Sequence, residues 1–444
     1  MGVWRGDDDE ARKQMEGRFF KVKTTEQVIS ILEGFHSLDE EFVALEQALG
    51  RVLSRDMFSP EDLPSFSRSS VDGFAVRAKD TFGATEAMPS LCEITGEVLM
   101  GEAPEGMVWS GAAWKIPTGG MLPEGADAVV MLEHSHRLDA RTIEISRPVS
   151  PLENIILPGD DFSKGSLVLE KGKRLRSQDL GVLAGVGFLR VPVVRRPRVA
   201  VISTGDEIVP IGKTPGPGQV RDINGITLCS FCLSSGAEPI TMGIIPDRLE
   251  NLLKAVQASI TAADMVWISG GSSVGVRDLT LKVFESMPDF ELLVHGISIS
   301  PGKPTIIARS GAKALVGLPG HVASALVVAE IFMGRLIARL SGGTGEGELA
   351  GPLEAVLSRN VESAPGREDY IRVRLTEKEG RRIAEPVFGK SGLISSLVVS
   401  DGLVRIEMNC EGLYEGEKVL VYPFTTALGG RRDMILPDAG LTAR

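Results

Sequence analysis

The chain has 444 residues, of which 43% are hydrophobic and 24% are charged. These proportions are typical of globular proteins and exclude a disordered, collagenous or coiled-coil chain, while the length predicts about three domains. Because 48 Lys and Arg residues stand against 59 Asp and Glu residues, the formal net charge is −11. Such an acidic chain is not expected to bind nucleic acid or an anionic membrane, although a small anion could still bind in a locally positive pocket.

The cysteine count and the start of the chain bear on whether the protein is cytoplasmic or secreted. The four cysteines are too few for a disulfide scaffold and are typical of a reducing compartment. The polar and acidic start, MGVWRGDDDE, lacks the apolar core of a signal peptide. The most apolar late stretch, 323–340, contains Glu330, Arg335 and Arg339, so we do not expect it to span a membrane. These features predict a cytoplasmic protein.

The first predicted elements follow a polar tail over residues 1–20. Thr24 and Gln27 have the spacing of a helix capping box. The apolar residues that follow them recur at helical intervals, namely Val28, Leu32 and Phe35. The sequence therefore predicts a helix beginning at this point. A second short helix is predicted over 43–53.

The middle of the chain changes its pattern twice. Over 58–150 short apolar runs are broken by Gly and Pro, which predicts a small β domain, and 151–178 is a connecting segment. Four continuous apolar runs then alternate with amphipathic helical patterns, at 199–203, 239–245, 265–269 and 314–318. This alternation predicts a parallel sheet with helices on both faces. After a glycine-rich linker at 341–347, alternating runs predict a second small β-barrel.

Polar loops follow the predicted strands of the central sheet. Because ligands bind at the carboxyl ends of strands in open parallel sheets, we expect these loops to converge on one edge. They are Thr204–Glu207, Gly270–Gly275, the turn 301–304 after the apolar run 294–300, and Pro319–His321. A single loop of this kind is explained as well by an ordinary turn between strand and helix. Four such loops together favour a ligand site.

The residues of these loops are suited to a phosphate and a divalent cation. Glycines allow backbone N–H groups to approach a phosphate closely, and three follow one strand: Gly270, Gly271 and Gly275. Lys303, held between two prolines, supplies a positive charge for a phosphate or another oxyanion. Carboxylates are the hard oxygen ligands that Mg²⁺ prefers, and the loops carry three: Asp206, Glu207 and Asp278.

Outside the central sheet, three polar turns have weaker signals. Asp72 precedes a glycine after a run of hydroxyl residues, and Thr118 begins a glycine-rich loop that can present backbone N–H groups. Residues 157–161 form an acidic turn. A simple hairpin turn explains the pattern at Asp72 equally well, and a solvated loop explains residues 157–161 better than a metal site does. Cys229 and Cys232 lack a second pair, so we expect two thiols on one helix face and not a zinc site.

Seven motifs, taken in order along the chain, resemble those of the molybdopterin molybdenumtransferases, a family related to the C-terminal domain of gephyrin. The resemblance extends from about residue 20 to 437, and seven motifs in the family's order are specific where any one alone is weak. The motifs are DGFAV within 64–76, a Thr-Gly…Gly-Ala-Asp-Ala-Val segment at 118–129, the acidic turn at 159–165, Ser-Thr-Gly-Asp-Glu at 203–207, Ser-Gly-Gly-x-Ser-x-Gly-x-x-Asp at 269–278, Pro-Gly-Lys-Pro at 301–304 and Gly-Leu-Pro-Gly at 317–320.

The resemblance implies an enzyme that takes adenylated molybdopterin and molybdate, cleaves the adenylate with Mg²⁺, and releases molybdenum cofactor and AMP. It implies a homodimer, with the upstream molybdopterin adenylyltransferase and apo-molybdoenzymes as further partners. The implied fold is multidomain α/β plus β. Its parts are an elongated linking domain (21–57 plus 151–178), a small β domain (58–150), an α/β molybdopterin-binding domain with a parallel-rich sheet (179–340) and a C-terminal β-barrel domain (348–437).

The resemblance also assigns roles to particular positions. Those expected to be catalytic are Asp72, Thr118, Glu207 and Asp278, with Asp72 orienting molybdate or water. The expected metal ligands are Asp206, Glu207, Asp278 and Asp161. The expected substrate-binding residues are Gly270, Gly271, Ser272, Ser273, Gly275, Lys303, Gly320, His321 and Ser391.

One departure from the family's pattern lies inside the expected ligand edge. Here His321 and Val322 stand where the family usually has Asn-Pro. The change leaves open a paralogue that handles tungstate. The sequence is also compatible with a scaffold of the gephyrin type and with the upstream adenylyltransferase activity. The retained carboxylates and Lys303 favour an active enzyme.

Overall fold

The computed structural model describes residues 22–270, 274–343 and 351–424. These residues form two compact units. The first, which we call the β unit, comprises 42–49 and 55–191; the second, the sheet–barrel unit, comprises the remaining described residues. Within the described ranges, no helix is both long and apolar enough to cross a membrane. The predicted tail and residues 344–347 of the predicted linker lie outside the described residues.

The elements described over residues 22–194 are short strands, two α-helices and three 3₁₀ turns. The helices are α1 (Thr25–Glu33) and α2 (Ser177–Gly185). The strands are β1 (Glu40–Ala44), β2 (Met57–Phe58), β3 (Arg68–Ser69), β4 (Gly73–Val76), β5 (Ser90–Glu97), β6 (Ala112–Ile116), β7 (Ala128–Met131), β8 (Ser135–Arg137), β9 (Thr142–Ile145), β10 (Ile155–Ile156), β11 (Leu167–Leu169) and β12 (Arg190–Val194).

The β unit is built on a six-stranded sheet in the order β7-β4-β6-β5-β9-β8. In β9 alternate residues are buried, so that Ile143 and Ile145 lie in the core while their neighbours are partly exposed. Strand β4 pairs with β6 on one side and β7 on the other, which places it inside the sheet. The prediction of β structure over 58–150 is confirmed.

One predicted helix is present and the other is absent. Helix α1 begins with the predicted capping box of Thr24 and Gln27. The predicted helix over 43–53 is wrong, because strand β1 and a single 3₁₀ turn, Leu45–Gln47, occupy its first half. Gly50 then adopts a positive φ of 73°, which no helix tolerates, and the chain continues extended.

The central part of the sheet–barrel unit alternates strands with helices. Its strands are β13 (Arg198–Thr204), β14 (Ile208–Val209), β15 (Val220–Arg221), β16 (Glu238–Ile245), β17 (Met265–Gly270), β18 (Phe290–His295), β19 (Ile299–Ser300), β20 (Ile306–Ser310) and β21 (Lys313–Leu318). Its helices are α3 (Ile223–Ser234), α4 (Leu249–Ala262), α5 (Val274–Glu285), α6 (Val322–Val328), a π-helical segment (Ala329–Met333) and α7 (Gly334–Leu340).

Six of these nine strands form one sheet, in the order β16-β13-β17-β21-β20-β18. The first four strands pair in parallel and are the four predicted from the sequence. Successive residues of β13 enter different cores: Val199 and Val201 pack with α1, α3, α6 and α7, while Ala200 and Ile202 pack with α4 and α5. The parallel-rich sheet with helices on both faces is therefore confirmed.

The apolar run 294–300 does not form the single strand that was expected. Strand β18 ends at His295, because Gly296 takes a positive φ of 94°. The run resumes as β19, which pairs with the barrel instead of the central sheet. Strand β20, which the sequence analysis missed, lies antiparallel between β18 and β21. Two reversals give β18 the same direction as β21, so both end at the same edge.

The C-terminal part is a closed five-stranded barrel. Its elements are β22 (Leu353–Leu357), β23 (Val361–Glu362), β24 (Glu368–Lys378), β25 (Arg381–Pro386), α8 (Ser395–Val398), β26 (Gly402–Ile406), β27 (Gly412–Leu413) and β28 (Lys418–Pro423). Strands β24, β25, β22, β28 and β26 pair in that order, and β26 returns to β24 to close the barrel. The predicted C-terminal barrel is confirmed, and β19 extends it at β24.

Candidate functional site

The parallel strands of the sheet–barrel unit end next to one another. Thr204, the last residue of β13, pairs with Gly270, the last residue of β17. A Cβ atom on Gly270 would lie 2.0 Å from the Thr204 carbonyl oxygen, so only glycine allows this approach. In β21, Leu318 pairs with Ser269 at the same level. The loops that follow these strands therefore share one edge, which we call the ligand edge.

Three carboxylates lie at the ligand edge around the end of β13. Asp206 and Glu207 are exposed and follow β13, and Asp247 is half-buried and follows β16. The Asp247 backbone N–H donates to Asp206 Oδ1 at 3.4 Å, and the Thr204 hydroxyl donates to the Asp247 carboxylate. Burial raises the pKa of Asp247, and the negative charges of Asp206 and Glu207 raise it further. The sequence analysis missed Asp247, although it follows a predicted strand.

The expected glycine-rich loop is described only in part. Gly271, Ser272 and Ser273 lie outside the described residues. Gly275 lies in the first turn of α5, and Asp278 is exposed on the same helix. Among the residues that the structure describes, no group of three or more His, Cys, Asp or Glu side chains is arranged to hold a metal ion. The expected Mg²⁺ site stays a prediction.

Lys303 lies at the ligand edge, but the strand that precedes it is not, as the sequence had predicted, a strand of the central sheet. It belongs to the loop between β19 and β20, and its side chain is exposed. Strand β20 begins at Ile306, which pairs with Gly317 near the end of β21. The Lys303 carbonyl accepts a hydrogen bond of 2.9 Å from the Ile297 N–H, which closes this loop. The ammonium group is therefore available at the edge where the parallel strands end.

The loop after β21 is joined to the barrel. The His321 Nδ1 atom lies 2.8 Å from the hydroxyl oxygen of Ser391, which belongs to the barrel loop between β25 and α8. The Ala323 N–H donates to the Ser391 carbonyl at 3.0 Å. Asn224 of α3 donates to the Gly320 carbonyl at 2.8 Å. Three expected substrate-binding residues, Gly320, His321 and Ser391, are thus brought together.

A buried arginine, which the sequence analysis missed, supports the same barrel loop. Arg372 of β24 is only 9% exposed. Its guanidinium donates to the Ser396 hydroxyl at 2.6 Å and to the Gly389 carbonyl at 2.7 Å. Burial lowers the pKa of Arg372, and no carboxylate among the described residues pairs with it. A buried guanidinium without a counter-charge is a favourable place for an anion.

The β unit brings together two of the expected catalytic residues. The Asp72 carboxylate accepts hydrogen bonds from the Thr118 backbone N–H at 2.7 Å and from the Thr118 hydroxyl at 2.9 Å. These two bonds lower the pKa of Asp72, the backbone bond having the larger effect. Both side chains are exposed, so an ionised carboxylate faces solvent at the start of β4.

Comparisons with known proteins match the chain over most of its length. Three family models match consecutive regions: "MoeA N-terminal region (domain I and II)" at 9–187, "Probable molybdopterin binding domain" at 200–339 and "MoeA C-terminal region (domain IV)" at 354–424. A molybdopterin molybdenumtransferase of Haemophilus influenzae is 34% identical over 391 residues, covering 88% of this chain and 95% of the relative. The chain belongs to the molybdopterin molybdenumtransferase family.

Two further relatives agree with this membership. The molybdopterin molybdenumtransferase of Bacillus subtilis is 31% identical and matches 86% of this chain and 89% of its own. The crystal structure of a molybdopterin biosynthesis MoeA protein from Pyrococcus horikoshii superposes with a TM-score of 0.78 at 40% identity, covering 91% of this chain and 99% of that one. As a molybdopterin molybdenumtransferase family member, the chain is an enzyme with a role in molybdenum cofactor biosynthesis.

One expected metal ligand of this molybdopterin molybdenumtransferase family member lies in the acidic turn of the β unit. Asp160 closes that turn by accepting a hydrogen bond of 2.7 Å from the Leu157 N–H. The Asp161 N–H donates to the Leu63 carbonyl at 3.1 Å, and the Asp161 side chain is exposed. Residues 157–161 therefore form a turn, as the sequence predicts. The role of Asp161 in metal binding stays a prediction.

Proposed function

We propose that this enzyme inserts molybdenum from molybdate into adenylated molybdopterin, with Mg²⁺-dependent cleavage of the adenylate and release of AMP. The observation that carries the proposal is the composition of the ligand edge. Carboxylates at the ends of β13 and β16 share this edge with the cationic side chain of Lys303. A barrel loop that is hydrogen-bonded to the same edge rests on the unpaired guanidinium of Arg372. Such an edge suits two anionic substrates and a cation.

The carboxylates fit a magnesium ion by their chemistry. Asp206, Glu207 and Asp247 are oxygen ligands. Burial raises the pKa of Asp247, and the repulsion from the other two carboxylates adds to the shift. A bound cation would relieve that repulsion. We therefore propose that these residues and Asp278 supply its ligands by moving together when it binds, because as placed no three of the described carboxylates are arranged around an ion. When bound, Mg²⁺ supplies positive charge to the phosphoanhydride of the adenylate.

The remaining residues bind and orient the substrates in this proposal. Lys303 and the Arg372 loop attract the oxyanion: Lys303 presents an exposed positive charge, and the buried Arg372 guanidinium is screened less by solvent and so interacts more strongly with an anion. Asp72, held ionised by Thr118, accepts a hydrogen bond from water and so orients it. We further propose a cytoplasmic homodimer that receives its substrate from the adenylyltransferase and delivers the cofactor to apo-molybdoenzymes.

The decisive experiment supplies the purified enzyme with adenylated molybdopterin, Mg²⁺ and molybdate, and follows AMP and molybdenum cofactor. We expect AMP release that requires both the metal and the oxyanion. Lys303→Ala and Asp247→Asn should each reduce the rate about 10²-fold, which is typical for the loss of one charged active-site group. Lys115→Ala, which removes an exposed lysine of the β unit, is the matched control.

Further outcomes distinguish this reaction from related ones. Wild-type enzyme that releases no AMP from adenylated molybdopterin would contradict the proposal. Consumption of ATP with molybdopterin would instead indicate the upstream adenylyltransferase reaction. A parallel reaction with tungstate replacing molybdate determines which oxyanion is preferred.

A further inference from the structure

His321 occupies the N-cap position of α6 but does not cap the helix. Its backbone has the extended φ and ψ of an N-cap residue, yet its side chain makes no hydrogen bond to the first turn. The Ser391 carbonyl accepts the Ala323 N–H in its place. The imidazole is therefore free to bond elsewhere, and its Nδ1 atom contacts the Ser391 hydroxyl at 2.8 Å.

The loop that carries His321 is fixed from the side of the central sheet. The Asn224 amide donates to the Gly320 carbonyl and to the Ser269 hydroxyl, each at 2.8 Å. Ser269 is 2% exposed and belongs to β17, in the middle of the sheet. A continuous chain of hydrogen bonds and one peptide unit thus leads from Ser269 to His321 and on to Ser391.

The barrel loop that carries Ser391 is fixed from its other side by Arg372. The guanidinium bonds Gly389 before Ser391 and Ser396 after it. Arg372 therefore holds both ends of the loop, and His321 holds its middle. The bonds from Arg372 to Gly389 and Ser396, together with the bond from His321 to Ser391, connect the guanidinium to the ligand edge.

The direction of the bond between His321 and Ser391 decides what Ser391 can do. A hydroxyl group has one hydrogen to donate and two lone pairs to accept with. If Nδ1 accepts, the serine hydrogen is used by the histidine. If Nδ1–H donates, the serine hydrogen remains available for an oxyanion, which needs donors.

We propose that His321 is a positioning residue: it donates from Nδ1 to Ser391, holds the Gly389–Ser396 loop at the ligand edge and leaves the Ser391 hydroxyl hydrogen for the oxyanion. The inference rests on the proposed function and adds a determinant of oxyanion affinity to it. His321 acts through Ser391 and has no part in the cleavage of the adenylate.

The test compares His321→Ala, His321→Asn and Ser391→Ala in the AMP-release reaction. Loss of one hydrogen bond corresponds to about a fivefold weaker interaction. We therefore expect His321→Ala to raise the KM for molybdate about fivefold, to raise the KM for adenylated molybdopterin less than about twofold, and to change kcat less than the KM for molybdate. His321→Asn, whose amide can also donate to Ser391, should recover most of the loss. His136→Ala, an exposed histidine of the β unit, is the matched control.

Two measurements are independent of turnover. Calorimetric binding of molybdate to the protein should weaken about fivefold in His321→Ala and at least as much in Ser391→Ala, which also removes the hydroxyl that donates to the oxyanion. The double variant should bind no more weakly than Ser391→Ala, because His321 acts through Ser391. Amide exchange over 387–396 should be faster in His321→Ala. Nitrogen-15 NMR of the imidazole in the wild-type protein should show a protonated Nδ1.

The outcomes separate this inference from the proposed function. If the wild-type enzyme releases no AMP but His321→Ala still weakens molybdate binding, the proposed function fails and the inference holds. If His321→Ala leaves the KM and the binding constant for molybdate unchanged, the inference is overturned while the function stands. Independent, additive effects in the double variant, or an unprotonated Nδ1, would also overturn it. A wild-type protein that binds no oxyanion would overturn both.

Discussion

The Asp72 carboxylate accepts two hydrogen bonds from a single residue, Thr118, through its backbone N–H at 2.7 Å and its hydroxyl at 2.9 Å. The two residues are 46 positions apart. Strands β4 and β6 bring them together, since Gly73 pairs with Ile116. The pairing keeps an exposed carboxylate ionised in a fixed orientation, which suits a group that orients a substrate.

We predict that Thr118→Val raises the pKa of Asp72 part of the way to its ordinary value of 3.8. Only part of the shift is lost, because the backbone N–H remains and has the larger effect. A lowered folded-state pKa gives stability that is present above the ordinary value and is lost as the pH falls through the folded pKa. The acid limb of AMP release should move to higher pH for the same reason. Carboxyl carbon-13 NMR measures the shift.

Thr118→Ser provides the control for this prediction. Serine keeps both donors, so the pKa of Asp72 and the acid limb should stay near their wild-type values. A pKa of Asp72 that is equal in the valine, serine and wild-type proteins would show that the hydroxyl does not act on the carboxylate.

The sequence predicted the core of the fold because buried parallel strands read as continuous apolar runs. All four runs of the central sheet were found in this way, while the capping box of α1 was found from its spacing and the C-terminal barrel from alternating runs. The sequence did not predict the elements whose position depends on pairing between distant parts of the chain. The run 294–300 has the sequence VHGISIS, and its two halves pair with different sheets, a division that no local pattern predicts. The predicted helix at 43–53 fails because its first half is a strand end and a 3₁₀ turn, and because the positive φ of Gly50 excludes a helix in the second half.

The candidate site was predictable where a residue belongs to a strand-end motif. Asp206, Glu207 and Lys303 were found from their loops. Asp247 was not found. A single aspartate after a strand can be recognised as part of the site only when β16 is known to lie beside β13. Gly270 was predicted as a phosphate-binding glycine. The structure adds a packing reason for it, because the Thr204 carbonyl leaves no room for a side chain at this position.

We predict that Asp247→Asn stabilises the protein while it reduces activity. The pKa of Asp247 is raised in the folded state, so the ionised carboxylate destabilises the fold above that pKa. Asparagine removes the charge and keeps an oxygen for the Thr204 hydroxyl. Because the group is only partly buried, the gain at pH 7 should be at most about 1 kcal/mol. Calorimetric unfolding at several pH values measures it.

The pH dependence gives this prediction its control. Below the ordinary pKa of 3.8 the wild-type carboxyl is protonated in both states, so the difference between the two proteins should vanish there. Asp139→Asn is a matched change at an exposed aspartate whose pKa is lowered. It should not stabilise the protein at pH 7. An equal gain in both variants would exclude repulsion at the ligand edge as the cause.

The strongest stability effect should come from the carboxylate that joins α1 to the barrel. Glu368 is 2% exposed and accepts hydrogen bonds from Thr25 at 2.7 Å, Tyr370 at 2.8 Å and Arg405 at 2.6 Å. Glu368→Ala leaves Thr25 and Tyr370 without this acceptor, and it leaves Arg405, which also bonds the exposed Glu26, without its buried counter-charge. We expect a loss of about 3 kcal/mol, since removing one partner of a buried pair is strongly destabilising.

Two comparisons make the effect of Glu368 specific. Glu368→Gln keeps one acceptor oxygen and should cost less than the alanine change, because fewer donors are left without a partner. Lys115→Ala breaks a pair with Glu97 in which both side chains are more than half exposed (54% and 55%), and should cost less than about 1 kcal/mol. Thermal unfolding measures all three variants. If Glu368→Ala cost no more than Lys115→Ala, the carboxylate would not anchor α1, and the attachment of that helix would rest on Val28 and Leu32, which are buried in the core.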